Sequence, residues 1–257
     1  MVASLMKSIL ADRPEKAFTN LKELVATIEH GYVAKQGPSF KTKKSFSPST
    51  LVYNHGECAR YWCLAFDGAD FQETVTPYDV ANMRNGSLSH ERIQEAMENS
   101  GILVSKEKKL ICNDPPIFGF CDAELMIDGE VVPAEIKTTK SETFQYRKDA
   151  GKPAYYHVGQ LLIYLKLLDK KRGVLIYENK NDYELLIMPL EMTEAREKWL
   201  EDSFEWMRTV RKSWEDRQLP IKNYRSNSKI CKKCPLLETC NNAPKGTVKI
   251  PALEKPE

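Results

Sequence analysis

Hydrophobic positions predict helices in the first part of the chain. Up to about residue 35, apolar side chains recur at the spacing of an amphipathic helix, namely at Leu21, Leu24, Val25 and Ile28. After a polar stretch, Ser47 and Pro48 are typical of a helix cap and first turn, and Asp67 of the end of that helix. A further helix is predicted over residues 87–99, with one inward face that carries His90, Ile93, Gln94 and Met97.

The pattern changes between Ile102 and about Thr139, where short apolar and β-branched runs replace the helical spacing. Two turn signals divide these runs, one at residues 113–116 and one at Asp128-Gly129. The second is a strong hairpin signal, because Asp-Gly suits the positive φ angles of a two-residue turn. We therefore predict a three-stranded β-meander in this part of the chain.

Beyond the meander, the pattern predicts a helix, two strands and a long helix, at about residues 154–168, 173–177, 183–189 and 193–217. The order of elements is then helix, three strands, helix, two strands, helix. This order favours an α/β fold in which a mixed central sheet is flanked by helices.

The composition fits a packed protein of enzyme size. The chain has 257 residues, 42% of them hydrophobic and 29% charged, which is enough for about one large domain or two small ones. Its 38 basic and 36 acidic residues leave a net charge of +2, so overall charge gives no argument for a nucleic-acid partner. No window approaches the roughly 18 apolar residues of a membrane span, and the N-terminus lacks a convincing secretory signal. We therefore expect a soluble, cytoplasmic protein with no membrane partner.

Charged side chains interrupt the third predicted strand, where Glu135 and Lys137 fall on one face. Across the Asp128-Gly129 turn, Asp122 is placed opposite the neighbourhood of Glu135. Converging carboxylates repel unless a cation lies between them, and their hard oxygens suit Mg²⁺ or Mn²⁺. The alternative is an ordinary surface strand with a local Glu-Lys pair. Pro133 cannot donate a ladder hydrogen bond, which indicates a strand start, an edge or a bulge.

Other residues accompany this group in a fixed order along the chain. The segments are Gly86-x-x-x-His90, Gly119-Phe120-x-Asp122, Glu135-Ile136-Lys137-Thr138 and Gln160-x-x-x-Tyr164. Together they resemble the PD-(D/E)XK nuclease superfamily, and within it the RecB-like exonucleases that carry an iron-sulfur cluster, such as CRISPR-associated Cas exonucleases and AddB-type modules. The resemblance implies a restriction-endonuclease-like fold with three regions: an N-terminal helical region (1–85), the nuclease core (86–220) and a cysteine-rich C-terminal segment (221–257).

The resemblance also implies a role for each matching residue. The ligands of Mg²⁺ or Mn²⁺ would be His90, Asp122, Glu135 and the carbonyl of Ile136. Lys137 would orient or help to deprotonate the attacking water and steady the charge on the phosphate. Gln160 and Tyr164 would hold the DNA strand or the lysine.

Three cysteines lie close together near the C-terminus, as Cys231-x-x-Cys234 followed by Cys240. Such a trio suits Zn²⁺ or an iron-sulfur cluster, and spacing alone does not separate the two. A closed site needs a fourth ligand, for which the candidates are Cys58, Cys63, Cys112 and Cys121.

The same resemblance favours a [4Fe-4S] cluster that joins the N-terminal and C-terminal segments. The iron-sulfur RecB-like nucleases place one cysteine in a helix before the core and three after it. Cys58 matches that first ligand, in a Cys-x-Arg-x-aromatic pattern with Arg60. Cys63 would lie about 140° further around the same helix.

The leading hypothesis is a metal-dependent DNA exonuclease that acts on single-stranded ends. Because the sequence has no Gly-x4-Gly-Lys-Ser/Thr segment, the enzyme would need frayed ends or a helicase partner. CRISPR adaptation and recombination are the pathways that the resemblance suggests. Two alternatives remain, a non-catalytic nucleic-acid-binding adaptor with a four-cysteine zinc site and a restriction-like endonuclease.

Overall fold

The computed structural model describes residues 21–34, 42–69, 71 and 76–257. These residues fall into two compact units. The smaller unit contains the described residues among 1–38 and 74–83, and the larger unit contains those among 39–73 and 84–257. The first part of the predicted N-terminal helix, and most of the polar stretch after it, lie outside the described residues.

Nine α-helices are found in the described part of the chain. They are α1 (Leu21–Val33), α2 (Pro48–Leu51), α3 (Ala59–Phe66), α4 (Pro77–Asn99), α5 (Ser141–Ala150), α6 (Tyr155–Leu167), α7 (Glu194–Glu215), α8 (Lys229–Lys232) and α9 (Leu237–Asn242). The described residues include no helix with the length and apolar character needed to cross a membrane.

Five strands form one mixed sheet in the order β1-β2-β3-β4-β5. They are β1 (Leu103–Asn113), β2 (Pro116–Ile127), β3 (Glu130–Thr139), β4 (Arg172–Asn179) and β5 (Leu185–Glu191). Only the β3–β4 pair of this sheet is parallel, and α5 and α6 lie in the connection between these two strands. The predicted meander is confirmed as β1–β3, all antiparallel. Asp128 and Gly129 both have positive φ, as the hairpin turn requires.

Helices cover both faces of the sheet. On one face, Ile93 and Met97 of α4 pack against Ala134 and Ile136 of β3. On the other, α6 and α7 form the larger core, in which Leu161 contacts the sheet beside Leu175. The α/β architecture, with a mixed sheet between helices, is therefore confirmed.

The single helix predicted from Ser47 to Asp67 is wrong, because the chain turns back on itself near its middle. Helix α2 is followed by a 3₁₀ turn at Asn54–Glu57, and only then by α3. A Cβ on Gly56 would lie 1.6 Å from the backbone oxygen of Thr50, so this return requires glycine. Cys58 consequently caps α3 from outside the helix.

Helix α5 was not predicted from the sequence. Its only buried side chains are Phe144 and Arg147, so a hydrophobic stripe is nearly absent. It ends at Gly151, which adopts the left-handed conformation typical of a helix C-terminus.

The C-terminal segment packs against α3 through Arg60. This buried guanidinium donates hydrogen bonds to the backbone oxygens of Pro220 (2.8 Å), Pro244 (2.8 Å) and Cys240 (3.3 Å). Its Nε also donates to Sγ of Cys240 at 3.2 Å. Backbone pairing of Leu253 with Glu57 ties down the end of the chain.

Candidate metal centre and active site

The candidate site lies where β2 and β3 separate. The pairing of these strands ends at Ala123 and Ala134, and Asp122 and Glu135 are the next residues beyond that pair. The backbone N–H of Ile136 donates a 2.7 Å hydrogen bond to Oδ2 of Asp122. The Asp122 carboxylate thus accepts the hydrogen bond that a backbone oxygen would accept in a continued ladder. This bond holds the carboxylate at a defined position between the strands.

A second group of acceptors surrounds the other carboxylate oxygen of Asp122. Its Oδ1 lies 3.7 Å from Nδ1 of His90 on α4. One ligand atom each from His90, Glu107 and Asp122 lie within 4.8 Å of one another. Gln94 donates to Oε1 of Glu107 at 2.9 Å and to the backbone oxygen of Asp122 at 2.8 Å. One imidazole and two carboxylates therefore meet beside the middle of α4.

Glu107 is the member of this group that the sequence did not reveal. It lies in β1 between Lys106 and Lys108, in a run that reads as an exposed charged strand. Its φ of 49° is unusual for a strand residue. The three-residue pattern Lys-Glu-Lys carries no signal for that conformation, so the contribution of β1 could be found only from the fold.

Glu135 is held by the residues that the sequence placed around it. Lys137 and Gln160 both donate to its Oε1, and the bond from Gln160 measures 2.7 Å. The same amide of Gln160 also donates to the hydroxyl of Tyr164 at 3.2 Å. The other oxygen, Oε2 of Glu135, is buried and has no hydrogen-bond partner among the described residues.

Of the two glycines in the predicted motifs, Gly119 and Gly86, only Gly119 is required by close packing. A Cβ on Gly119 would lie 3.1 Å from the hydroxyl of Tyr164, so this residue lets the tyrosine approach β2. At Gly86, a Cβ would meet nothing within 4 Å. Pro133 lies inside β3, one residue before the pairing with β4 begins at Ala134.

Burial controls the protonation of this group. Burial and then the negative charge of Asp122 raise the pKa of Glu135 to about 8. Burial likewise raises the pKa of Asp122, against the opposing effects of Lys137 and His90. For Lys137, burial acts to lower the pKa, but the Glu135 and Asp122 carboxylates outweigh it and the pKa is raised. The lysine is thus kept as a cation, whereas the two acids resist ionisation together.

The donor set fits a hard divalent cation. Two carboxylates and an imidazole within a few ångströms are ligands that Mg²⁺ and Mn²⁺ accept. The unpartnered Oε2 of Glu135 is a buried acceptor that a cation would satisfy. A bound cation would also stabilise both acids in the ionised form.

A second positive region adjoins Lys137. The residue opposite Lys137 on β4 is Tyr177. The Arg147 guanidinium lies over the Tyr177 ring, 4.9 Å from its centroid. The Tyr177 hydroxyl is 2.9 Å from Nδ1 of His157. Burial, then the charges of Lys137 and Arg147, lower the pKa of His157 well below its usual value. The histidine is therefore neutral, and Lys137 and Arg147 carry the positive charge of this region.

The structure brings together the four cysteines that the sequence selected. Cys58 lies at the start of α3, and its partners lie in and around α8 and α9, at Cys231, Cys234 and Cys240. Burial, followed by repulsion from Cys58, Cys240 and Cys231, raises the pKa of Cys234 to about 12. The other three cysteines, Cys63, Cys112 and Cys121, each contact a backbone oxygen elsewhere.

The spacing of these sulfurs leaves the kind of metal group open. Tetrahedral Zn²⁺ with Zn–S bonds of about 2.3 Å needs thiolates about 3.8 Å apart. Among the described residues, which include all seven cysteines, no three sulfurs lie within 4.8 Å of one another. These distances are those of thiols without a bound metal, so they select neither Zn²⁺ nor an iron-sulfur cluster.

Comparisons with known proteins match the fold but give no family. No protein-family model matches the chain, and no curated protein matches it. Among solved structures, an alkaline exonuclease from Laribacter hongkongensis, LHK-Exo, matches 67% of this chain and 91% of its own at a TM-score of 0.52 and 12% identity. The structure of LHK-Exo with dAMP gives 0.51 and 13%, covering 67% of this chain and 89% of that one.

A third structure, of a protein designated SSO0001, covers 86% of this chain and 97% of its own at 17% identity and a TM-score of 0.46. At such identities, a likeness concerns the fold alone. The five-stranded mixed sheet between helices is thus a restriction-endonuclease-like α/β fold.

Proposed function

We propose that the protein is a metal-dependent DNA exonuclease of the PD-(D/E)XK type that hydrolyses phosphodiester bonds. One observation carries this proposal: beside the His90, Glu107 and Asp122 group, Glu135 presents a buried oxygen that no described residue contacts by a hydrogen bond, while its other oxygen accepts from Lys137. An acceptor cluster with a lysine at its edge can bind a cation and a phosphate side by side. This is the arrangement that phosphodiester hydrolysis requires.

In this proposal the cation is Mg²⁺ or Mn²⁺, held by His90, Asp122, Glu135 and the carbonyl of Ile136. Glu107 is added to this ligand set because it shares the group with His90 and Asp122. A cation bound there supplies charge neutralisation at the phosphate and lowers the pKa of a bound water.

The remaining roles belong to side chains of this chain. The Lys137 ammonium orients the attacking water and stabilises negative charge on the phosphate. Gln160 fixes one oxygen of Glu135 and links it to Tyr164, which keeps the free oxygen of Glu135 directed away from Lys137. Arg147 and the neutral His157 leave an electropositive boundary beside Lys137, where a second phosphate of the strand can lie.

DNA is proposed as the substrate on the strength of the fold and the site together. One neighbour of like fold is an alkaline exonuclease, and one of its structures contains dAMP. We extend the proposal to single-stranded or frayed ends, which the absence of a P-loop motif favours. A helicase, or the machinery of CRISPR adaptation or recombination, would supply such ends, as the RecB-like motifs suggest.

The four cysteines are proposed to hold a structural [4Fe-4S] cluster. The cysteine pattern supports it, as does the mutual proximity of Cys58, Cys231, Cys234 and Cys240, whose thiols interact electrostatically. Cys58 supplies one thiolate from before the sheet, and the C-terminal segment supplies three from after it. The cluster would thereby join the 1–85 and 221–257 regions across the nuclease core (86–220).

The decisive experiment is digestion of end-labelled linear DNA and of closed circular single-stranded DNA with Mn²⁺. Progressive loss of nucleotides from linear DNA, with circles intact, supports the exonuclease. Cleavage of circles would make the enzyme an endonuclease, and DNA binding without any cleavage would indicate the adaptor. Iron analysis of protein purified without air tests the cluster separately, and stoichiometric zinc in colourless protein would contradict it.

A further inference from the structure

The hairpin of β1 and β2 exposes two phenylalanine rings beside the candidate metal centre. Phe118 and Phe120 are 38% and 43% exposed, although both lie within a strand, β2. Their rings are in edge-to-face contact, with centroids 5.2 Å apart. The residues that flank this pair along β2, Ile117 and Cys121, are buried. The outward face of the strand thus carries aromatic side chains where solvent-facing polar ones are expected.

The facing strand adds a positive charge to this surface. Lys109 pairs with Phe120, and Ile111 pairs with Phe118, so the four side chains form two adjacent cross-strand pairs. The ammonium of Lys109 lies 5.5 Å from the centre of the Phe118 ring. Lys106 and Lys108 are engaged by Glu98 and Glu124. In the described part of the chain, Lys109 has no such carboxylate partner.

Both strands run directly from this surface into the metal centre. Phe120 lies two residues before Asp122, and Lys109 lies two residues after Glu107. Two strand residues span about 7 Å. In a stacked nucleic-acid strand that distance corresponds to about two nucleotides. A strand whose phosphate is in the centre therefore has bases within reach of the rings.

Backbone hydrogen bonds hold the segment that carries the two rings before any ligand binds. The N–H of Phe118 donates to the oxygen of Phe46 at 2.9 Å, and Phe46 itself donates to Pro116 at 2.7 Å. β2 is therefore paired on both sides at this point, with β1 and with Phe46. Little ordering of the backbone would be needed when a ligand binds.

We propose that Phe118, Phe120 and Lys109 form a stacking subsite for unpaired bases of the strand that is being degraded. The inference rests on the proposed nuclease function and deepens it, because it names the feature of the substrate that is recognised. The rings offer π-faces and edges to bases, and Lys109 offers a charge to a phosphate. Since every base has a π-face, the subsite selects unpaired over paired DNA without selecting a sequence.

The test compares binding of two ligands of equal length in a Glu135→Gln background, which prevents digestion. One ligand is single-stranded DNA of mixed sequence, and the other is the same sugar-phosphate chain without bases. Fluorescence anisotropy gives Kd for each. The variants are Phe118→Ala/Phe120→Ala and Phe118→Leu/Phe120→Leu, with Tyr183→Ala as the matched control, an exposed aromatic residue outside β1 and β2.

We expect the double alanine variant to bind the DNA roughly tenfold or more weakly, the loss expected for at least one base stack. Its Kd for the baseless chain should stay within about twofold, because phosphate contacts are intact. The double leucine variant should resemble the alanine variant, since leucine keeps apolar area but has no ring. Tyr183→Ala should bind both ligands like the parent.

Several results would overturn the subsite. An unchanged Kd for the DNA in the double alanine variant would contradict it. An equal loss of affinity for the DNA and for the baseless chain would also contradict it. Full binding by the leucine variant would point to simple apolar contact. A change of oligomeric state in sedimentation, without a change in Kd, would make the surface a contact between copies. Failure of the proposed function looks different, because the parent protein would then not cleave DNA with Mn²⁺, whatever its Kd for single strands.

Discussion

The backbone N–H of Ile136 donates a 2.7 Å hydrogen bond to Oδ2 of Asp122, across the point where β2 and β3 part. This bond takes one oxygen of the carboxylate and leaves Oδ1 on the side of His90, 3.7 Å from its ring nitrogen. Because the donor belongs to the backbone of β3, the orientation of Asp122 depends on the sheet. The candidate ligand is therefore positioned before any cation binds.

Removing either partner of the Glu135–Lys137 contact should abolish cleavage. Glu135→Gln takes away a ligand charge, and Lys137→Met takes away the cation that faces the phosphate and water. Each change should reduce the rate by at least about 10²-fold, the usual contribution of such a group. Single-turnover digestion of labelled DNA measures the rate, and circular dichroism checks the fold. Lys148→Met is the control, since Lys148 is exposed and pairs with Glu184. Rates within a few fold of the parent would place the chemistry elsewhere.

Glu107→Gln should weaken metal binding without unfolding the protein. The change keeps the shape of the side chain but removes one of two negative charges from the group with His90. Loss of a supporting partner alone usually costs roughly 10- to 100-fold in affinity, and we expect at least that. Calorimetric titration with Mn²⁺ measures it. Glu98→Gln is the comparison, because Glu98 pairs with Lys106 at the surface. Equal affinities in the two variants would remove Glu107 from the ligand set.

Cys58→Ser should lower the iron content and the yield of folded protein, whereas Cys63→Ser should do neither. Both sulfurs are at or in α3, but only Cys58 adjoins the C-terminal cysteines. Cys63 contacts the backbone oxygen of Val210 instead. Iron and sulfide assays on anaerobically purified protein give the readout. Full iron loading in Cys58→Ser would show that another residue is the fourth ligand.

Acid should destabilise the protein partly through His157. The pKa of this buried imidazole is well below the usual 6.5, so below that pH the unfolded chain binds a proton that the folded protein does not. The free energy of unfolding therefore falls as pH drops below about 6.5, by up to about 1.4 kcal/mol per pH unit, until the folded pKa is reached. His157→Gln should flatten this part of the curve in urea denaturation. His30→Gln, on exposed α1, should leave it unchanged. Parallel curves for parent and His157→Gln would contradict the assignment.

The sequence predicted those elements in which local chemistry and the fold agree. Asp128-Gly129 selects a tight hairpin wherever it occurs between strands, and the hairpin is found. The amphipathic spacing of His90 and Ile93 correctly predicted a helix, although α4 begins earlier, at Pro77. Much of the candidate site could be predicted for the same reason, because its residues on β2, β3 and α6 occur in motifs of fixed order.

Features that depend on distant contacts were missed. Glu107 joins the metal group only because β1 pairs with β2 and adopts a positive φ at that residue. Gly56 interrupts a helical pattern because the chain returns against Thr50, a contact that no periodicity reports. Helix α5 buries Phe144 and Arg147 alone, so its stability comes from packing rather than from its own pattern.

Arg60 makes the folding of the first helices depend on residues that are synthesised much later. Its guanidinium is 1% exposed, and its nearest acceptor along the chain is the oxygen of Pro220, 160 positions away. While a nascent chain on the ribosome has not yet reached Pro220, burying α3 would leave the Arg60 guanidinium without its hydrogen-bond acceptors. We therefore expect α3 to stay open to water, or to be held by a chaperone, until the acceptors at residues 220–244 have been synthesised.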